Sequence, residues 1–264
     1  MISKNKIKLV RALETKKGRA KHGLFVAEGP KVVADLLAAG FHLVELFDAE
    51  DDIKKVSFLQ HPQGKVGIFR LPEQAKEPFL TSETRKNTEH NEAFCVSELS
   101  LALDGVQDPG NLGTIIRIAD WFGIKHIFCS MDTADCWNPK VVQATMGSIA
   151  RVTMHYLDLG RLIDLLPKSY PIYGTLLDGN DIYAEKLSAA GLIVMGNEGN
   201  GISAAIRERI NRRLLIPNFS TEATHAESLN VAIATAIVCS EFRRRGTVRS
   251  EEHTSELQSP AMIS

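Results

Sequence analysis

Asp104-Gly105-Val106-Gln107-Asp108-Pro109-Gly110-Asn111-Leu112-Gly113-Thr114-Ile115-Ile116-Arg117 follows an apolar run that begins at Leu99. It reads as strand end, Pro/Gly loop and helix in immediate succession. Such a unit opens a strand–helix alternation, the pattern of a mostly parallel sheet with covering helices. Working outward, strands are predicted at Ile124–Cys129, Ile172–Leu176, Leu192–Gly196 and Leu214–Pro217. Helical patterns fill the gaps, over about 111–122, 138–148, 160–166, 203–211 and 227–245. Asn111 is the expected N-cap of the first helix, because its side chain can satisfy an otherwise orphaned N–H. Arg117 lies further along that helix, four residues before Trp121. In an ordinary strand-to-helix turn, Arg117 is solvated or pairs with Asp120.

Upstream the rhythm differs. Leu24-Phe25-Val26 reads as a strand and Glu28-Gly29-Pro30 as a turn into a helix over Lys31–Ala39. Gly40 stops that helix, and Leu43–Phe47 is the next strand. The stretch from Pro72 to Asn91 is polar and ends with linker composition, which divides the chain into residues 1–95 and 96–246. Residues 247–264 lack apolar periodicity and are expected to be a disordered tail. Within them Ser250–Pro260 resembles a translated sequencing adapter rather than native coding sequence, so this stretch carries no weight in the fold.

Composition narrows the function classes. The 264 residues are 44% hydrophobic and 24% charged, enough for a core that needs neither disulfides nor metal. Thirty-one Lys and Arg against 32 Asp and Glu leave a net charge of −1, a sum that conceals polarity. Lys4, Lys6, Lys8, Arg11, Lys16, Lys17, Arg19 and Lys21 face a single acid, Glu14, in the first 22 residues. That cluster is either the solvated face of a helix carrying Ile7, Val10 and Leu13, or a phosphate-contacting patch. No apolar run approaches the roughly 20 residues that span a bilayer, and no secretory h-region follows Met1. Cys95, Cys129, Cys136 and Cys239 form no C-x-x-C pair, so reduced thiols in a cytoplasmic protein are expected.

Two further glycine- or loop-punctuated segments sit at strand ends, where open α/β sheets place their ligands. Val194-Met195-Gly196-Asn197-Glu198-Gly199-Asn200-Gly201-Ile202-Ser203 has its glycines in the wrong order for a dinucleotide fingerprint and lacks the Lys-Ser/Thr of a P-loop. A plain turn explains the glycines but not the acid, Glu198, at their centre. Ile216-Pro217 leads through a polar loop to Ala226-Glu227-Ser228-Leu229-Asn230-Val231, where Glu227 or Ser228 is expected to open the last helix. Leu229, Ile233 and Ile237 are read as core. Asn230 is the residue that a purely structural account leaves over.

Asn111…Arg117, Gly196-x-Glu198-x-x-Gly201 and Ile216-Pro217…Ser228-Leu229-Asn230-Val231 resemble, in order and spacing, the three motifs of the SpoU/TrmH group of the SPOUT RNA methyltransferases. Lys21–Gly29 is similar to the L30e-type substrate-binding domain that precedes the catalytic domain in many members. The resemblance implies an α/β catalytic domain with a mostly parallel sheet and a C-terminal trefoil knot. It also implies a homodimer and S-adenosylmethionine as cofactor, with no metal. Thr175, Leu176, Leu177, Met195, Gly196, Asn197, Gly201, Ile216, Ser228 and Leu229 are the implied cofactor-binding positions. Arg117, Asn111, Glu198, Ser228 and Asn230 are the implied catalytic set. Between Pro217 and Ser228 the chain departs from the compact Gly-containing loop of the group.

The implied reaction carries a methyl group to a ribose 2′-hydroxyl. Arg117, with a pKa above about 12, is a poor base. It is expected to orient the hydroxyl and adjacent phosphate and to stabilise alkoxide charge. Asn111 is expected to fix the Arg117 region or the ribose, and Glu198 to hold Arg117 by a charge-assisted bond. The basic N-terminus is the expected RNA clamp, ribosomal RNA being the first choice of substrate and transfer RNA the second. Two rivals are a non-catalytic RNA-binding or ribosome-assembly factor, which would be expected to lack Arg117, Asn111 or Glu198, and a dehydrogenase, against which the glycine order argues.

Overall fold

The computed structural model describes residues 2–72, 98–220 and 228–256, with residues 246–256 as backbone alone. The expected boundary at 95/96, Cys95 and most of the loop before Ser228 lie outside the described residues.

The N-terminal unit comprises α1 (Lys4–Ala12), α2 (Lys16–His22), β1 (Leu24–Glu28), α3 (Pro30–Ala38), β2 (Leu43–Phe47), α4 (Glu50–Val56) and β3 (Val66–Arg70). Ser3 and Thr15 cap the first two helices, accepting from the backbone N–H of Lys6 and Gly18. β3 lies between β1 and β2 and is antiparallel to both, with Phe25 opposite Phe69. Sequence periodicity missed β3 because Gly67 interrupts it. The side chain of Phe69 packs over that glycine.

The second unit contains β4 (Leu99–Asp104), α5 (Pro109–Trp121), β5 (His126–Cys129), α6 (Pro139–Ala144), β6 (Thr153–Tyr156), α7 (Leu159–Leu165), β7 (Ile172–Asp181), β8 (Gly191–Gly196), α8 (Ala204–Arg207), β9 (Arg212–Leu215) and α9 (Val231–Glu256). Its six strands run in the order β6-β5-β4-β8-β7-β9, and every neighbouring pair is parallel. The central strand β4 is buried from Leu99 to Leu103, as a parallel strand covered on both faces must be. β4 and β8 end side by side, Asp104 opposite Gly196, which brings the first two glycine-bearing loops together.

Several expected elements are different. The helix expected over 138–148 stops at Ala144, because Met146 turns to φ 52° and a left-handed residue cannot continue it. The helix expected over 203–211 shrinks to Ala204–Arg207, and β9 starts earlier, at Arg212. The edge strand β6 is only partly buried and escaped the apolar pattern. The last helix starts at Val231 rather than 227 and runs on to Glu256, into the stretch expected to be a disordered tail. Once its packed turns exist, each further residue adds one hydrogen bond at little nucleation cost.

One apolar core runs through both units, joining Phe25, Phe69 and Val33 to Leu101, Ile115 and Val142. Its bridging side chain is Trp137, with ring centroids 4.5 Å from Phe25 and 5.8 Å from Phe41. Two polar ties flank it. The Arg19 guanidinium, 2% exposed, pairs with Asp135. Asp35 of α3 and Asp120 of α5 both accept from Arg151. Lys31 of α3 also donates to the carbonyl of the left-handed Met146, 3.0 Å away.

A shared core predicts shared cooperativity. Phe25→Ala removes a fully buried ring and should cost about 3 to 5 kcal/mol. In a denaturant titration read by circular dichroism, it should shift a single transition of the whole chain. Two separate transitions, with only the weaker one displaced, would contradict a common core.

Candidate functional site

The loop between β4 and α5 is capped from within. Asp108, not Asn111, is the N-cap of α5: its Oδ1 accepts from the Asn111 backbone N–H at 2.7 Å, and Pro109 takes the first helical position. Asp-Pro is a known helix-opening signature, and that signal was present in the sequence. The correction matters, because a cap residue would have its side chain consumed by the helix end. At the third helical position Asn111 is free to turn its amide outward.

That amide meets Glu198. Asn111 Nδ2 donates to Glu198 Oε1 at 3.0 Å, and the backbone N–H groups of Asp108 and Gln107 donate to the same carboxylate at 3.2 and 3.3 Å. Partial burial pushes the Glu198 carboxyl up, but these N–H donors outweigh it and hold it below the ordinary carboxylate value. The expected bond from Arg117 to Glu198 is not made; the carboxylate is satisfied by amides instead.

The third loop closes the chain of amides. Asn230 Nδ2 donates to Asn111 Oδ1 at 2.9 Å, while Asn230 Oδ1 accepts from the backbone N–H of Ala232 and Ile233. Asn230 is therefore the cap of α9, a place expected for Glu227 or Ser228. Each amide is oriented by the next: the helix end sets Asn230, Asn230 sets Asn111, and Asn111 presents its donors to the carboxylate. Ser228 and Leu229 are exposed beside this cap.

The β8 loop is built on a close approach. A Cβ on Gly196 would fall 2.3 Å from the Gly201 carbonyl carbon, so no larger residue fits. Gly201 turns with φ 68° and pairs with Asn197 through two backbone hydrogen bonds. The Asn197 side chain, expected at the cofactor, is spent on the loop. It donates to the Gly105 carbonyl at 2.7 Å and accepts from the N–H groups of Gly199 and Asn200. Thr175 Oγ1 donates to the Val194 carbonyl at 3.4 Å, tying β7 to β8. Leu176 and Met195 are buried, whereas Leu177 is 79% and Leu229 50% exposed. Leu177 on β7, Ile216 after β9 and Leu229 before α9 offer apolar side chains, and the glycine-built β8 loop offers backbone groups, a set that suits a nucleoside-type ligand with an apolar ring and a polar ribose. That composition fits S-adenosylmethionine.

Arg117 is exposed on α5 and has no hydrogen-bond or ion-pair partner among the described residues. Asp120, expected as its possible partner, is taken by Arg151 through a two-pronged contact at 2.7 to 3.1 Å. Among the described residues, no group of three or more His, Cys, Asp or Glu side chains is placed to hold a metal ion.

The basic N-terminus divides. Arg19 is buried against Asp135 and is not a surface cation at all. Arg11 donates to the carbonyls of Ser57 and Lys55 and lies over the Phe58 ring, and Lys6 pairs with Glu45. Lys4, Lys8, Lys16, Lys17 and Lys21 are exposed, without an ion pair among the described residues.

Fold and site together define an RNA methyltransferase that uses S-adenosylmethionine. Residues 98–240 match the SpoU rRNA Methylase family and residues 4–65 match the MRM3-like substrate binding domain. The chain belongs to the SpoU rRNA Methylase family. It is 31% identical to the 23S rRNA (guanosine(2553)-2′-O)-methyltransferase RlmP of Bacillus subtilis, over 90% of this chain and 96% of that protein. A TrmH-family protein from Porphyromonas gingivalis superimposes with a TM-score of 0.77 at 37% identity, covering 93% of this chain and 99% of its own. An AdoMet-bound rRNA methyltransferase from Sinorhizobium meliloti gives 0.76 at 29% identity, covering 93% and 96%.

Two variants probe the amide chain. Asn230→Asp keeps the cap acceptor but turns an acceptor toward Asn111 Oδ1. Methyl transfer should fall about tenfold, near the upper weight of one hydrogen bond, with the melting temperature held. Asn230→Ala should lose the transfer and about 1 kcal/mol of stability as well; equal activity in both variants and wild type would refute the relay. For Glu198 the folded pKa lies below the ordinary value of 4.5. Its stabilisation is therefore complete above that pH and lost as pH falls through the folded value. Melting curves of wild type and Glu198→Gln should differ most near neutrality and converge in acid; a gap that widens below pH 4.5 would reverse the assignment.

Proposed function

We propose that this protein transfers a methyl group to the 2′-hydroxyl of a ribose in 23S ribosomal RNA. The observation that carries the reading is Arg117, exposed and without a partner among the described residues, on the helix whose third residue, Asn111, is locked to Glu198 and Asn230. An rRNA target rather than tRNA is supported by the Bacillus subtilis relative, which is matched almost end to end.

When bound, S-adenosylmethionine supplies an electrophilic methyl group on a sulfonium. Backbone groups around Leu176, Leu177, Met195, Gly196, Gly201, Ile216 and Leu229 would hold the cofactor, in a chain that is trefoil-knotted at its C-terminal end. Arg117 would donate to the 2′-oxygen and a neighbouring phosphate, orienting the hydroxyl for attack and stabilising alkoxide charge as an O–C bond forms and the methyl C–S bond breaks to leave S-adenosylhomocysteine. A guanidinium with a pKa above about 12 does not take the proton; water or a phosphate oxygen does. Lys4, Lys8, Lys16, Lys17 and Lys21 contact the RNA backbone.

The protein works as a cytoplasmic homodimer. Trp121 is 85%, Ile233 55% and Leu229 50% exposed on or beside α5 and α9, which pack against each other. Large apolar side chains this exposed beside a polar site suit a second copy of the chain.

The test is incubation with labelled S-adenosylmethionine and unmodified 23S rRNA or tRNA, followed by mapping of the modified nucleotide. Label at one ribose of 23S rRNA is expected, and Arg117→Ala should abolish it. Undiminished methylation by that variant would end the role given to Arg117, and label in tRNA alone would change the substrate. In calorimetry S-adenosylhomocysteine should bind and NAD should not; heat from NAD would favour the dehydrogenase reading.

A further inference from the structure

Arg19 belongs to the N-terminal unit, yet its strongest partner is in the other one. Nη1 donates to the carbonyls of Leu13 and Glu14, at 2.9 and 2.8 Å, which anchors the guanidinium in the α1–α2 turn. Nε and Nη2 both donate to Asp135 Oδ2, at 3.1 Å from Nε. The other oxygen of Asp135 accepts from the Trp137 backbone N–H at 3.0 Å. All the guanidinium nitrogens are thus engaged in a group that is 2% exposed.

Asp135 sits in the loop after β5, and this loop grips the site loop from below. The Ala134 N–H donates to the Val106 carbonyl at 2.9 Å. Ser130 Oγ accepts from the Gly105 N–H at 2.8 Å, and Thr133 Oγ1 donates to the Leu103 carbonyl at 3.1 Å. Directly after Val106 come Gln107 and Asp108, whose N–H groups hold Glu198. A continuous run of short polar contacts therefore leads from the N-terminal unit to the carboxylate. Its buried end is an arginine whose loss leaves Asp135 without its cation and two carbonyls without donors.

We propose that Arg19 is a positioning residue for the methyl-transfer site, acting through Asp135 and the 130–136 loop on the backbone that holds Glu198. The N-terminal unit is then part of the scaffold of the active site as well as a surface for RNA. This rests on the reading of Glu198 as part of the methyl-transfer site, and the test separates the two.

Hydrogen exchange on the full chain reads the mechanical claim directly. In Arg19→Ala, amides of residues 104–108 should exchange at least about fivefold faster, as local opening becomes easier, while those of β8 stay protected. The turnover number should fall about tenfold, the scale of a small misplacement at a reacting centre. S-adenosylhomocysteine affinity should fall less than turnover, because the run meets the cofactor-binding β8 loop only at Glu198 and at the Gly105 carbonyl that Asn197 holds. Arg19→Lys keeps the charge but not the fork and should fall between. Unchanged exchange at 104–108, a uniform rise over the whole chain, or faster exchange with unaltered turnover would each overturn the proposal. If Arg19→Ala does not fold, Asp135→Asn takes its place with the same expectations. Should the wild type methylate no RNA, the functional reading fails, and exchange at 104–108 alone decides whether Arg19 controls the loop.

Discussion

A carboxylate placed among amide donors organises this molecule. Glu198 follows β8, and besides its own backbone N–H it is reached by two backbone N–H groups before α5 and the side-chain amide of Asn111. A carboxylate accepts but never donates when ionised, so each neighbour is forced to present hydrogen. Asn111 meets that requirement with its amide N–H, its other end being held by Asn230, which the α9 end orients. Three loops far apart in sequence are thereby joined at one charge. Arg117, exposed on α5, makes no contact with this arrangement among the described residues.

The parts of this arrangement that sequence reading found are those with strong local signals. Strands β4, β5, β7 and β8 are apolar runs with turn residues after them, and they lie close to where periodicity placed them. Glu198 and Asn230 stood out because each is polar where a turn or a helix face offers no reason for it, whereas Asn111 and Arg117 were marked only by the resemblance to the family motifs. What escaped was decided by distant contacts. Asp108 takes the helix end, as the Asp-Pro pair signals, but that the freed Asn111 amide meets a residue 87 positions away is visible only in the fold. Arg19 looks like one more lysine-rich surface cation until Asp135, 116 positions on, is folded against it. Met146 ends a helix that local propensity would continue, with its carbonyl held by Lys31.

The division into two units is clear in composition and much weaker in packing. Trp137 belongs to the methyltransferase unit by sequence, but its ring completes the aromatic cluster of Phe25 and Phe41. With Arg19 and Arg151 bridging on either side, the N-terminal unit is held at a set orientation to the catalytic sheet. A domain interface of this kind, apolar at its centre and ion-paired at its margins, resists the relative motion that is the usual expectation between domains.

The strand order has a consequence for how the molecule is made. β4 pairs on one side with β8, residue Leu99 beside Gly191, so this edge stays open until some 90 further residues have left the ribosome. At synthesis rates of about 5–20 residues per second the wait is roughly 5 to 20 seconds. Through that interval a largely apolar strand offers unpaired N–H and C=O groups to any neighbouring nascent chain. The aromatic cluster of the N-terminal unit likewise waits for Trp137 to emerge. Yield of folded protein is therefore tied to elongation speed between Asp104 and Gly196, and to the crowding of the polysome that translates it.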